Sequence, residues 1–389
     1  MSRLNELIQQ YCPDGVEYKK LGEICYLSRG KVYSKSYIEE NAGEYPVYSS
    51  QTANNGELGR ISTYDYDGEY LTWTTDGAYA GTIFYRKGKF SITNVCGLIS
   101  IKGDKLLIKF LFYWLSIKAP DYVYRGMGNP KLMSNQMEPI KVPIPPLPVQ
   151  EEIVRILDNF AELQAELQAE LQKRLQQYNY YRDNLLSFEG RTDVEWKKLD
   201  EICYTTSNIK WKNTSEYYEY IDLTSVDIAT HAIVSTTKIN SDTAPSRAQQ
   251  IVKQGDVIFA TTRPTQMRVC MIPSKYDGEI CSTGYCVLRP DNTKVLSSFL
   301  FFILSIEDFK RYLEQNQTMG NYPAISNKLL KEYVIPVPPL TEQQRIVDIL
   351  DRFDALTTDI TAGLPAEIEA RRKQYEYYRD QLLTFKQKA

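Results

Sequence analysis

Few side chains in this chain of 389 residues are placed for covalent chemistry. His231 is the only histidine, so a Ser-His or Cys-His nucleophilic pair would need that one residue. No Gly-x-x-x-x-Gly-Lys-Ser/Thr phosphate loop is present, which argues against ATP-driven work. Asn129-Pro130-Lys131 is not the Asn-Pro-Pro-Phe signature of an amino-methyltransferase. Pro290-Asp291 with Lys294 is a faint match to a nuclease, yet Asp291 follows a strand-like run and reads as a turn. The seven cysteines include no Cys-x-x-Cys pair, and Cys281 and Cys286 have one histidine to help them hold a metal. They read as reduced cytoplasmic thiols. The sequence therefore predicts no cofactor, no metal and no catalysis by this chain alone.

The abundant chemistry is recognition. Arginine forks onto guanine, Asn and Gln amides onto adenine, and small hydroxyls onto either. In the first half the candidates are Ser50, Gln51, Asn54 and Asn55 in the loop 49–56, Thr75, and Arg125, Asn129 and Lys131 in the loop 125–131. In the second half they are Lys210 and Lys212, then Thr262, Arg263 and Gln266, then Asn316, Gln317 and Asn321. Lys31, Lys35 and Lys131 suit phosphate contacts, which set register without reading bases. Ordinary polar turns are the alternative at each position.

These loops sit in a chain written twice. Val16-Glu17-Tyr18-Lys19-Lys20-Leu21 returns as Val194-Glu195-Trp196-Lys197-Lys198-Leu199. Pro143-Ile144-Pro145-Pro146-Leu147 returns as Pro336-Val337-Pro338-Pro339-Leu340. Tyr178-Asn179-Tyr180-Tyr181-Arg182-Asp183 returns as Tyr375-Glu376-Tyr377-Tyr378-Arg379-Asp380. Met127-Gly128-Asn129 likewise matches Met319-Gly320-Asn321. The offset drifts from 178 at Val16 to 187 at Gly68/Gly255, 189 at Phe110/Phe299, 193 at Pro143 and 197 at Tyr178. Each copy is thus a variable globular head followed by a uniform tail, and DNA is the commonest partner of two-fold character.

The tails read as long helices. From Ile153 to Leu185 apolar residues recur in steps of three and four, with Glu, Gln and Ala on the other faces. Pro-Pro-Leu opens each tail. In the second, Gly363 and Pro365 predict a kink or break. The heads mix signals: 68–75 and 255–262 look like strands, while 108–117 and 297–306 look like buried helices. Net charge is -3, but 150–190 and 341–389 together carry -5, leaving the remainder at +2. No apolar run of about 18 residues is present, so no membrane span is expected.

Taken together the chain resembles the specificity subunit of a type I restriction-modification enzyme. The resemblance rests on the duplicated segments Val142–Gln150 and Ile335–Gln343 and on the tail from Leu364 to Asp380. It implies an α+β fold with two tandem globular target-recognition domains, joined by two long antiparallel coiled-coil helices as a pseudo-two-fold internal repeat. The bounds read as 1–145 and 191–338 for the domains, and 146–190 and 339–389 for the helices. Each domain would read one half of a bipartite double-stranded DNA target. The helix ends would recruit two methyltransferase subunits, and that assembly would bind the restriction-translocase subunits. Tyr178, Tyr181, Arg182, Tyr375, Tyr378 and Arg379 are candidates for that docking face, with helix-pair packing as the other reading. The first tail carries Ala-Glu-Leu-Gln three times where the family has Gly-Leu-Pro. A DNA-binding regulator with two readers and no enzyme partner is the rival function.

Overall fold

A computed structural model describes residues 2–126, 128–357 and 363–388. It divides into two compact units: unit 1 is 1–165 with 371–389, and unit 2 is 166–370. The expected break in the second tail falls partly at 358–362, outside the described residues. Around it one helix runs Leu340–Thr357 and the next Leu364–Leu382.

In unit 1 six strands form one sheet in the order Cys25–Arg29, Cys96–Ile101, Tyr66–Thr74, Ile83–Ile92, Ala42–Tyr48, Glu57–Ile61. The central strand Tyr66–Thr74 alternates Leu71 and Trp73 toward the helix Ile108–Lys118, and they share one apolar cluster with Phe110, Leu111 and Trp114. The strand Glu17–Lys20 pairs antiparallel with Lys141–Ile144. The far end of the chain completes this unit. Val16 N–H donates to Lys386 O at 2.9 Å, and Lys388 N–H donates to Val16 O at 2.9 Å.

Unit 2 orders Cys203–Tyr204, Tyr285–Pro290, Val257–Ala260 and Val269–Met271 in one sheet, the arrangement of the first four strands of unit 1. A second sheet holds Thr237–Ile239, Tyr218–Ile221, Ile280–Ser282 and Ala248–Ile251. Val334–Val337 pairs antiparallel with Glu195–Lys198, as its counterpart does. The expected buried helix at 297–306 ends earlier, spanning Ser297–Ile303, with a further helix at Glu307–Asn316.

Register corrects one detail of the repeat. Trp73 pairs with Gly97 and Phe259 with Cys286, so Trp73 corresponds to Phe259 and the offset here is 186 rather than 187. Matching the Thr-Thr doublets by identity slips the strands by one residue. In a strand a one-residue slip moves every side chain to the opposite face. The pairing puts Leu71 and Trp73 on the helix-facing side with Val257 and Phe259 as their equivalents.

The long helix spans Leu147–Leu185, 39 residues and about 58 Å. The Pro-Pro-Leu-x-x-Gln start of each tail has a shared physical cause. The fully buried Gln150 donates its amide to Lys105 O at 2.9 Å and Pro145 O at 2.7 Å, and accepts from Leu107 N–H at 2.8 Å. Gln343 repeats this, donating to Lys294 O and Pro338 O at 2.8 Å and accepting from Leu296 N–H at 2.8 Å. One side chain thus ties the tail, the strand before it and the buried helix of the head. Replacing Gln150 with Leu strands a buried N–H and two carbonyls, so we expect destabilisation of about 3 kcal/mol. Thermal melting of Gln150→Leu and Gln343→Leu, each against the parent, checks this.

Among the described residues no helix is long and apolar enough to cross a membrane, and no group of His, Cys, Asp or Glu is placed to hold a metal ion. Asp291 sits in a turn: its carboxylate accepts from Thr293 N–H at 3.1 Å and Thr293 Oγ1 at 2.7 Å, with Lys294 at 3.1 Å. Those donors, Thr293 first, hold its pKa well below the usual carboxylate range.

Candidate nucleic-acid interface

In unit 1 the three candidate loops come together at one end of the sheet. Thr75 is fully buried, and its hydroxyl donates to Val95 O at 2.7 Å. Its N–H donates to Ser50 Oγ at 3.1 Å, and Ser50 Oγ in turn donates to Val95 O. Ser50 and Thr75 therefore build the loops and spend their polar groups inside them. Gln51 is exposed, with its amide donating to Glu57 O. Asn54 and Asn55 are exposed and left-handed, at φ 49° and 53°, a region Asn tolerates better than most residues. Beneath them the buried Arg86 donates to Asn55 O at 2.8 Å, and its guanidinium lies 3.5 Å from the Tyr48 ring centroid.

The loop 125–131 is stapled to the same end. Tyr124 and Lys131 exchange backbone hydrogen bonds at 2.8 and 3.0 Å, Gly77 N–H donates to Pro130 O at 3.1 Å, and Leu132 N–H donates to Thr75 O at 2.9 Å. This leaves Arg125, Asn129 and Lys131 exposed around Gly128. Met127, expected to be part of the loop motif, lies outside the described residues.

Unit 2 closes its loop the same way. Arg263 N–H donates to Pro323 O at 2.7 Å, Ile325 N–H to Thr261 O at 2.9 Å, and Thr318 N–H to Ala324 O at 2.8 Å. The matched glycines, Gly128 at φ 130° and Gly320 at φ 127°, both need positive φ, with nothing within 4 Å of an added Cβ. Backbone conformation, not space, is what calls for glycine there. The side chains presented differ completely. Arg263 is exposed with its guanidinium 5.2 Å from the Tyr322 ring centroid, beside an exposed Gln266 and Asn321. Met319 and Tyr322 are 96% and 74% exposed; both lie in the segment 315–322 that the sequence offers as a reader, although its polar residues Asn316, Gln317 and Asn321 are the ones singled out there.

The remaining candidates divide. Thr262 is half-buried at the strand end, bridged to Ala324. Asn316 is half-buried and its amide donates to Tyr312 O at 2.8 Å, while Gln317 has a buried Oε1 with no hydrogen-bond partner. Lys210 and Lys212 are exposed on either side of Trp211, whose indole N–H donates to Ala248 O at 2.8 Å. Hydrogen bonds from Thr283 N–H to Arg247 O and from Thr261 N–H to Gly284 O connect that segment with the Arg263 loop. Each unit thus offers one end with exposed amide, guanidinium and ammonium groups on loops fixed by internal hydrogen bonds. Such an end can meet phosphates and base edges.

Residues 13–177 and 192–370 each match the family described as the type I restriction modification DNA specificity domain. The chain belongs to this family. It carries two copies of the domain in tandem. A putative type I specificity subunit of Mycoplasma pneumoniae is 34% identical over 366 residues, 93% of this chain and 96% of that one. The specificity subunit of the type I restriction enzyme EcoR124I/EcoR124II of Escherichia coli is 33% identical over 424 residues, 99% of this chain and 97% of that one. The solved type I restriction-modification S subunit from M. genitalium shares the fold, with TM-score 0.55 over 95% of each chain at 15% identity.

In this specificity-domain chain the duplicated Tyr-Arg segments pack reciprocally. In unit 1 Phe160 stacks on Tyr378 at 5.6 Å and meets Tyr375 at 6.4 Å. In unit 2 its repeat equivalent Phe353 stacks on Tyr181 at 5.8 Å and meets Tyr178 at 6.5 Å. Each contact joins the tail start of one copy to the tail end of the other. Burial pushes the Tyr178 and Tyr375 hydroxyls up. Arg182 and Arg379 lie 5.7 Å from the ring centroids of Tyr178 and Tyr375, and each donates to the next aspartate, Asp183 at 2.9 Å and Asp380 at 2.8 Å. The most exposed tyrosines of the two segments are Tyr180 and Tyr377, at 67% and 62%, while Tyr181 keeps 42% of its surface exposed beside Phe353.

Proposed function

We propose that this chain is the non-catalytic DNA-reading subunit of a type I restriction-modification enzyme. Each globular part, 1–145 and 191–338, reads one half of a bipartite target in double-stranded DNA. The helical segments 146–190 and 339–389, running antiparallel, set the distance between halves and dock two methyltransferase subunits. Through them the chain meets the restriction-translocase subunits.

The observation that carries this reading is the pair of loop ends with one backbone closure and two sets of side chains. Pro130 and Pro323, with Thr75 and Thr261, make the same hydrogen bonds. The tips offer Arg125, Asn129 and Lys131 in one copy and Arg263, Gln266, Asn321 and Tyr322 in the other. A shared scaffold with divergent tips suits two different half-sites. Lys131, Lys210 and Lys212 suit phosphates, and the arginines and amides suit base edges.

The reciprocal Phe-Tyr packing supports a role in holding the helices together for Tyr178, Tyr181, Tyr375 and Tyr378. The outward Tyr180 and Tyr377 are better candidates for the docking face, because exposed tyrosine is favoured at interfaces. Tyr180→Ala with Tyr377→Ala is expected to reduce capture of the methyltransferase subunit at least tenfold without lowering the melting temperature. Tyr178→Ala with Tyr375→Ala is expected to lower the melting temperature by several degrees. Co-purification of the full chain with its methyltransferase subunit reads the first and thermal melting the second. An intact chain that captures no methyltransferase subunit would favour the rival regulator.

A further inference from the structure

A cavity of about 330 Å³ opens in unit 2 between the loop around His231, the strand Val269–Met271, the helix Ser297–Ile303 and the helix Leu340–Thr357. Ile233, Met271, Phe301 and Phe302 form apolar walls, and Asp351 and Asp354 stand at one side. This size is at the small end of ligand pockets, roughly 300–1,000 Å³.

The other copy shows what this place accommodates. The offset of 189 matches Lys109 with Ser298 and Tyr113 with Phe302, and the offset of 193 matches Asp158 with Asp351. In unit 1 Lys109 Nζ donates to Asp158 Oδ2 at 2.6 Å, and the Tyr113 hydroxyl donates to Asp158 Oδ1 at 2.7 Å. An ammonium and a hydroxyl thus complete that carboxylate. In unit 2 both donors are gone from the sequence, and Asp351 has no hydrogen bond or ion pair among the described residues. Burial first, then the neighbouring Asp354 and Asp348, pushes its carboxyl up. His231 turns its ring edge onto Phe301 at 5.6 Å, and its Nδ1 is buried with no partner. Lys275 also lines the cavity, but its ammonium lies 4.6 Å from the Tyr276 ring centroid.

We infer that this cavity binds a primary alkylammonium group, which fills in unit 2 the place that the Lys109 side chain fills in unit 1. The alkyl part lies along Phe301, Phe302 and Met271, and the ammonium donates to Asp351. The inference goes beyond the DNA-reading role and does not rest on it.

Titration of the full chain with n-pentylammonium and with the neutral 1-pentanol, followed by calorimetry, tests it. Pentylammonium is expected to bind saturably, and pentanol at least tenfold more weakly. Asp351→Asn, at the exposed mouth, is expected to weaken pentylammonium at least tenfold with unchanged melting. The double change Ser298→Lys with Phe302→Tyr rebuilds the plug of unit 1. It is expected to abolish binding and raise the melting temperature. No saturable pentylammonium binding, equal binding of pentanol, or binding indifferent to both variants would overturn the inference. Two further arms assign the natural source. Tighter binding of cadaverine, with methyltransferase capture unchanged in the plugged variant, marks a free diamine. Loss of that capture marks a lysine of the partner.

Discussion

Deleting one Ala-Glu-Leu-Gln repeat, residues 165–168, is expected to shorten the preferred spacer between half-sites by one or two base pairs while leaving both half-sites unchanged. Four residues are about 6 Å of helix, against roughly 3.4 Å per base step. The repeat lies where the long helix leaves unit 1 and enters unit 2, at the boundary between 165 and 166. Neither head core includes a residue of 165–168, so the deletion alters the connection and not the readers. Loss of the right spacer removes modification of the original sites altogether, so the effect is large. Methylation mapping of the deletion strain reads it directly; an unchanged spacer would remove the helix from its role as ruler.

The second large effect is expected at Arg263. Its side chain is exposed beside Tyr322, on a left-handed backbone at φ 50° held by the bond from its own N–H to Pro323 O. A guanidinium fixed there is able to fork onto one base. Arg263→Ala is expected to cost about 1–3 kcal/mol at one position of the second half-site, roughly 5- to 150-fold, and to relax the choice of base there. The first half-site keeps its sequence, because it is read by the other unit. Lys131→Ala should behave differently, weakening all sequences alike and reducing the salt slope of binding by about one. Binding titrations on a set of single-base target variants at two salt concentrations separate these behaviours. If Arg263→Ala weakened every target equally, that residue would be a phosphate contact and not a reader.

The tails were the most legible part of the sequence because their signal is local. Steps of three and four over Ile153–Leu185 specify a helix without reference to anything distant, and 39 helical residues are found. Gln150 and Gln343 also recur in the sequence, but their reason did not show: the carbonyls they bond, at Lys105 and Lys294, lie more than forty residues away. The same distance hid what the tyrosines pack on. Tyr178 and Tyr181 fall on the apolar stripe that leads to Leu185, and Tyr180 falls off it, so the spacing picks out the two rings that meet Phe353. What they pack on, Phe353, is 172 to 175 residues further along.

The heads were less legible. Strand register was misread by one because identical Thr-Thr doublets outweighed the alternation that fixes which face is buried. Among the loop candidates, composition could not distinguish groups that present themselves from groups that build the loop. Thr75 and Ser50 spend their hydroxyls on Val95 O, whereas Asn54, Asn129, Arg263 and Asn321 stay exposed. Composition ranks the Ser, Thr and Asn residues among them alike, since both roles favour these types.

Methylome sequencing of a host carrying this chain with its methyltransferase subunit tests the central claim most directly. Methylation is expected on both strands of one bipartite motif, two short half-sites separated by a spacer of fixed length and free sequence. Methylation at a single uninterrupted motif, or none that depends on this chain, would contradict it.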